Sequence, residues 1–165
     1  MRIAISRLIV GMVLGCSLSA NAGAACDEAA YKQFDFWIGH WKVRTPDGKL
    51  AGTNRITREY AGCVLHERYT TARGYSGESL NTYDPGRKTW HQTWVDNEGT
   101  LLLLEGRFID GGMRLEGQTT DPTGKVTKHR ITWTAHDDGS VSQLWESADG
   151  KGAWMIAFDG KYTKQ

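Results

Sequence analysis

From Pro46 onward the chain is punctuated by tight-turn signals about every ten residues. They read "PDGK", "YAGC", "DPGR", "DNEG", "DGG", "DPTG", "DDGS" and "ADGKG". Glycine supplies the positive φ that such turns need, while Asp, Asn and Pro bend the chain by local hydrogen bonding or a fixed φ. The intervals between signals suit strands and leave no room for the crossover helices that parallel strands require. The spacing therefore predicts an all-β chain, an antiparallel up-and-down barrel or sandwich of about ten strands. One short helix is expected before it, at "CDEAAYKQFDF", with acidic residues in its first turn.

Turn geometry and side-chain parity test each other, because a one-residue slip turns every side chain of a strand to the opposite face. A turn at Ala61-Gly62 sets Tyr60 against Cys63, Arg58 against Leu65, Ile56 against Glu67 and Asn54 against Tyr69. A turn at Asp110-Gly111 sets Phe108 against Met113 and Gly106 against Leu115. The "DPGR" loop is read as pairing Tyr83 with Lys88, Asn81 with Trp90 and Ser79 with Gln92. A two-residue turn at Asp149-Gly150 is read as placing Trp145 opposite Trp154, Gln143 opposite Ile156 and Val141 opposite Phe158. The "HDDGS" turn stays open. With two loop residues Arg130 and Thr132 point inward, and with three His129, Ile131 and Trp133 do.

The inner face that results is not a plain aliphatic core. It carries Trp41, Arg58, Glu67, Tyr69, Ser79 and Asn81, then Tyr83, Trp90, Gln92, Trp94, Gln143 and Trp145, with Arg130 in one of the two registers. Large apolar walls with a few convergent polar groups suit a small-molecule pocket, and buried polar groups must find partners in one another, in water or in a ligand. The competing reading is a filled barrel, in which Arg58 and Glu67 form an internal ion pair and Ser79, Asn81 and Gln92 a structural network.

The stretch "FDFWIGHWKV" resembles the opening of lipocalins and related calycins, where a Gly-x-Trp begins the first strand after a short helix. With "GCVLHE", "SLNTYDP", "WHQTWVD", "ADGKGAW" and "FDGKY", the chain looks like a bacterial exported family of unknown function with a lipocalin-like barrel. The resemblance covers nearly the whole chain after its leader. It implies that Trp41 packs across a closed barrel end and that Gly39 permits the tight passage from helix to strand. It implies no reaction. Nitrobindin-type barrels share the Gly-x-Trp but continue with further glycines where this chain has Lys42 and Val43. Their haem-ligating histidine lies near the C-terminus, and no histidine follows His136 here, so no haem or other cofactor is expected.

Residues 1–24 read as a signal peptide, with Arg2 and Arg7 before the apolar run "LIVGMVLGCSL" and small residues at Ala20, Ala22 and Ala24 for cleavage. Residues 25–165 then form a single domain, periplasmic or secreted. The minority alternative is a lipoprotein anchored through Cys16, from the lipobox-like "VLGC". Removing Arg2 and Arg7 takes the 20 basic residues to 18 against 19 acidic ones, a change from +1 to −1. So balanced a chain, without a basic block, points to neither nucleic acid nor an anionic membrane surface, and no run is long enough to span a bilayer. Cleavage leaves Cys26 and Cys63, an even pair that reads as a disulfide in an oxidising compartment.

Chemical signatures are few. The histidines His40, His66, His91, His129 and His136 are scattered one per element, so no metal site is expected. No nucleophile elbow or phosphate loop occurs. The expected function is binding of a small amphipathic or aromatic molecule in the barrel. The first alternative is an acid–base enzyme of isomerase, cyclase or lyase type. It would use Glu67 as candidate catalytic group, with Tyr69, Tyr83 and either Arg130 or His129. The second is a protein-interaction module with a filled barrel. Sequence alone assigns no oligomeric state.

Overall fold

Each turn signal ends a strand. The computed structural model describes residues 26–149 and 152–165, so the expected signal peptide and Cys16 lie outside the described residues. The first five strands are β1 (Gly39–Arg44), β2 (Leu50–Glu59), β3 (Val64–Thr70), β4 (Ser76–Asp84) and β5 (Thr89–Asp96). They are followed by β6 (Leu101–Ile109), β7 (Gly112–Thr120), β8 (Val126–Ala135), β9 (Val141–Ala148) and β10 (Trp154–Lys164). Neighbours in sequence are neighbours in the sheet, and β1 closes on β10, giving a complete antiparallel barrel. Closure leaves no free sheet edge.

Two hairpins form as their turn chemistry demands. β2 and β3 pair with Asn54 opposite Tyr69, Ile56 opposite Glu67 and Arg58 opposite Leu65. Tyr60, read from the sequence as opposite Cys63, instead turns the corner with φ 51° and is exposed. β6 and β7 pair Phe108 with Met113 and Gly106 with Leu115. The turn after β8 takes its three-residue form, since Ala135 lies opposite Val141 and His136 N–H donates to the Ser140 carbonyl. That settles the open strand: His129, Ile131 and Trp133 face inward.

Two registers differ from expectation. Across β4 and β5, Tyr83 faces Trp90, Asn81 faces Gln92 and Ser79 faces Trp94. The slip is two residues, so the faces survive although the partners change. In the β9–β10 hairpin, Trp154 pairs with Ala148 and Ile156 with Glu146, and a bulge before Phe158 then brings Phe158 opposite Trp145 and Gly160 opposite Gln143. A bulge inserts one unpaired residue and changes parity. Trp154 is consequently outside, not opposite Trp145.

The N-terminal segment plugs one end. The expected helix is a single turn, α1 (Ala29–Lys32), with Asp27 and Glu28 ahead of it, and a 3₁₀ turn follows at Asp35–Trp37. Phe34 stacks on Trp37 with ring centroids 4.8 Å apart, and Trp133 meets both rings at 5.3 and 5.2 Å. The Trp41 indole N–H donates to the Trp37 carbonyl at 2.9 Å, and Trp90 donates to Oε1 of Gln33 at 3.2 Å. Phe34, Trp37, Trp41, Trp90 and Trp133 are all buried, so the plugged half of the barrel is solid. Gly39 sits under this cluster, where a Cβ would stand 3.1 Å from the Trp41 ring. The Cys26–Cys63 disulfide ties the plug to the β2–β3 corner.

Candidate functional site

The opposite half of the barrel holds a cavity of about 250 Å³, reaching from Glu67 and Gln92 inside to Thr71 and Tyr75 on the β3–β4 loop. Its walls exist because bulky rings are laid over bare backbone. A Cβ on Gly52 would meet the Tyr69 ring at 2.7 Å, one on Gly77 the Trp94 ring at 2.2 Å, and one on Gly160 the Phe158 ring at 2.6 Å. Tyr69 and Trp94 occupy space that a side chain of the neighbouring strand would fill, and Phe158 the space of a side chain two residues on in its own strand. The barrel interior beside these rings is left open, lined further by Leu102, Ile131, Trp133 and Trp145.

The floor is polar. Glu67 is 4% exposed, and its carboxyl accepts from Asn54 Nδ2 at Oε1 and from the Ser79 hydroxyl at Oε2, both at 2.6 Å. Ser79 in turn accepts from Asn81 Nδ2 at 2.8 Å, and Gln92 Nε2 donates to Asn81 Oδ1 at 2.7 Å. Beside them the Tyr162 hydroxyl donates to Oε1 of Gln143. Burial pushes the Glu67 pKa up to about 7, against the opposing hydrogen bonds from Ser79 and Asn54. Burial and the neighbouring Glu67 likewise push Tyr162 well above the ordinary phenol range. Two buried atoms near this floor lack a partner, Asn54 Oδ1 and the indole nitrogen of Trp133.

At the rim, Asp96 accepts from the Tyr75 hydroxyl at 2.9 Å and from the Trp94 indole at 3.2 Å. Burial raises its pKa, but hydrogen bonds from Thr100, Trp94 and Tyr75 outweigh that and hold it at about 2. On the far wall, Trp145 Nε1 donates to Nδ1 of His129 at 3.2 Å, and His129 Nε2 lies 2.9 Å from the Thr119 hydroxyl. An indole only donates, so Nδ1 is unprotonated and the ring proton sits on Nε2. Burial lowers the His129 pKa in the same direction.

Of the residues singled out in the sequence, Glu67, Tyr69, Gln92, Trp94, Gln143 and Trp145 meet at the cavity. Ser79 and Asn81 stand behind Glu67 as its hydrogen-bonded support. Trp41 and Trp90 belong to the solid half, with Tyr83 packed against Tyr31 and Trp90 at 5.3 and 6.0 Å. Arg58 does not pair with Glu67. It reaches the plug instead, forming an ion pair with Asp35 and donating to the carbonyls of Gly62 at 2.5 Å and Tyr31 at 3.4 Å. Arg130 is not a cavity residue either. It lies on the outer face, bound to Glu146 at 2.8 Å and stacked over Trp154 at 4.3 Å. His66, also on the outer face, is held between Glu59 at 3.1 Å and Glu78 at 2.7 Å.

The sequence reading missed Tyr162, because the two-residue turn assumed for the last hairpin set Phe158 against Val141 at the start of β9 and so ran out of partners before reaching it, whereas Tyr162 is the residue opposite Val141. The alternation Phe158, Gly160, Tyr162 in "FDGKY" carries the signal that would have found it. Tyr75 and Thr71 belong to a loop, for which strand parity says nothing. Among the described residues no group of three or more His, Cys, Asp or Glu side chains converges as a metal site, and no helix is long and apolar enough to cross a membrane. No family model matches the chain, and no curated protein matches it.

Proposed function

We propose that this protein is an exported binding protein that holds one small amphipathic or aromatic molecule in the open half of its barrel. The observation that carries the reading is the contrast within the cavity, aromatic walls above a hydrogen-bonded polar floor. Such a combination contributes apolar burial and orientation together. A volume of about 250 Å³ exceeds the 150 Å³ or so that accommodates benzene in an apolar protein cavity. One ring with modest substituents fits the reading better than a long lipid chain. The family resemblance to lipocalin-like exported proteins and the Cys26–Cys63 bond support an extracytoplasmic location, since such bonds persist in oxidising compartments.

Native mass spectrometry of the protein purified from its own cell envelope, beside its denatured mass, tests both parts. A bound mass lost on denaturation supports the binding reading, and the denatured mass fixes the leader's cleavage and any acyl chain. Failure to find either a bound mass or any small aromatic molecule that alters Trp fluorescence would count against it. A second reading, acid–base catalysis, is favoured by the Glu67 pKa of about 7, which suits a proton donor and acceptor at neutral pH. Its partners would be Tyr69 and Tyr162, since Tyr83 and Arg130 lie elsewhere. Under that reading Glu67→Gln abolishes turnover, whereas under the binding reading it changes affinity alone.

A further inference from the structure

We propose that the cavity selects a small organic cation, a protonated aromatic amine, paired with Glu67 at the floor and enclosed by the indole and phenol faces of the walls. This rests on the binding reading above and narrows it to one charge class. Three observations converge. First, the residues that wall the cavity include Glu67 but neither Lys nor Arg. The only nearby guanidinium groups that the sequence offered, Arg58 and Arg130, are spent on Asp35 and Glu146. A carboxylate ligand would find no counter-charge there and would face the Glu67 carboxyl directly.

Second, the Glu67 carboxyl keeps acceptor capacity unused, beside one orphaned donor in the same cavity, the Trp133 indole N–H. Each Glu67 oxygen receives a single side-chain hydrogen bond, although an ionised carboxylate has about four lone-pair sites. The adjacent Asn54 Oδ1 has no donor at all. An ammonium group brings three N–H donors and a positive charge to this place, so it removes the cost of ionising a buried carboxyl. Third, Trp94, Trp133 and Trp145 with Tyr69 surround the space above Glu67. Aromatic faces attract cations, more strongly where water is displaced. Bonded to the rim residues Tyr75 and Trp94, the ionised Asp96 adds a second negative charge nearby.

The side chains facing Glu67 leave its own charge to govern the pH dependence. Asn54 on β2 and Ser79 on β4 do not titrate, and Tyr69 on β3 and Tyr162 on β10 are both pushed above the ordinary phenol range by burial. His66, next in the chain, points outward to Glu59 and Glu78, and its charge lowers the Glu67 pKa less than burial or the Ser79 and Asn54 bonds move it. Binding of an ammonium therefore expels the Glu67 proton where it is present, and affinity rises with pH up to the region of pH 7.

Calorimetric titration with three probes on one skeleton tests the proposal: 2-phenylethylamine, 2-phenylethanol and phenylacetate, on the wild-type protein and on Glu67→Gln, at pH 6 and pH 8. The amine is expected to bind about tenfold or more tightly than the other two. It should tighten from pH 6 to pH 8, releasing a proton at pH 6, and lose its advantage in Glu67→Gln. Equal or tighter binding of the alcohol or the carboxylate would overturn the charge selection while leaving the binding reading standing. Binding of none of the three would overturn both. The comparison among probes on the wild-type protein holds even if the variant does not fold.

Discussion

Ser79 lies directly opposite Glu67 across the β3–β4 pair and donates a 2.6 Å hydrogen bond to its buried carboxyl. That bond and its counterpart from Asn54 favour the ionised form, yet burial outweighs them and holds the Glu67 pKa at about 7, above the ordinary 4.5. The folded state thus binds the Glu67 proton more tightly than the unfolded chain does. Its contribution to stability is complete below about pH 4.5 and is lost as the pH rises through about 7. Glu67→Gln mimics the protonated form, so it should raise Tm by about 3 °C or more at pH 8 and by much less at pH 5. Thermal melts at the two pH values check this. A variant less stable than wild type at pH 8 would contradict it.

The plug is held to the barrel by the Cys26–Cys63 bond across 37 residues of sequence. Chain-entropy reasoning gives such a bond about 4 kcal/mol. Reduction should therefore move the urea midpoint down by more than one molar unit, roughly, for a slope typical of small proteins. It should also disturb emission from Trp37 and Trp41 before the barrel melts. Equal midpoints for the oxidised and reduced protein would show that aromatic packing alone holds the plug.

Gly77 is the platform for Trp94, and a methyl group there would come within 2.2 Å of the indole. Gly77→Ala should drive the ring inward, shrink the cavity and cost about 1–3 kcal/mol of stability. The outcome to look for is a blue shift or quench of Trp94 emission together with weaker binding of any cavity ligand. A variant whose affinity and melting temperature match wild type would mean that the ring has a second resting place.

The barrel was legible because its turns are written in Gly, Asp, Asn and Pro, whose backbone preferences act locally. The corners at Ala61-Gly62 and Asp110-Gly111 need no information from elsewhere in the chain. Registers that depend on loop length were legible only to parity. The β4–β5 pair shifted by two residues and kept Asn81 and Gln92 on the inner face, whereas the bulge in β10 sent Trp154 outside. Bulges leave no period in the sequence. Arg58 illustrates another limit. Its face was right, but β-strand parity says nothing about height along the barrel axis, which decides whether a side chain meets the plug or the cavity. The cavity itself was foreshadowed by Trp and amide groups on one face, while its cause, rings resting on bare backbone, is a relation between neighbouring strands at Gly52 and Gly77 and within β10 at Gly160.

The ring has a seam. β1 and β10 pair from Trp41–Lys164 to Arg44–Lys161, with one more backbone bond from Gln165 N–H to the His40 carbonyl, whereas β7 and β8 run together from Gly112–Thr134 to Thr120–Val126. The seam also joins β1 to β10, so the circle stays open until β10 has been made and delivered. Tyr162, part of the cavity floor, arrives with that strand, and Asn54, 3.5 Å from its hydroxyl, was in place from the start. A nascent or clipped chain without β10 is therefore a curled sheet with no vessel in it. In the finished protein the same seam is the natural place for the wall to part first.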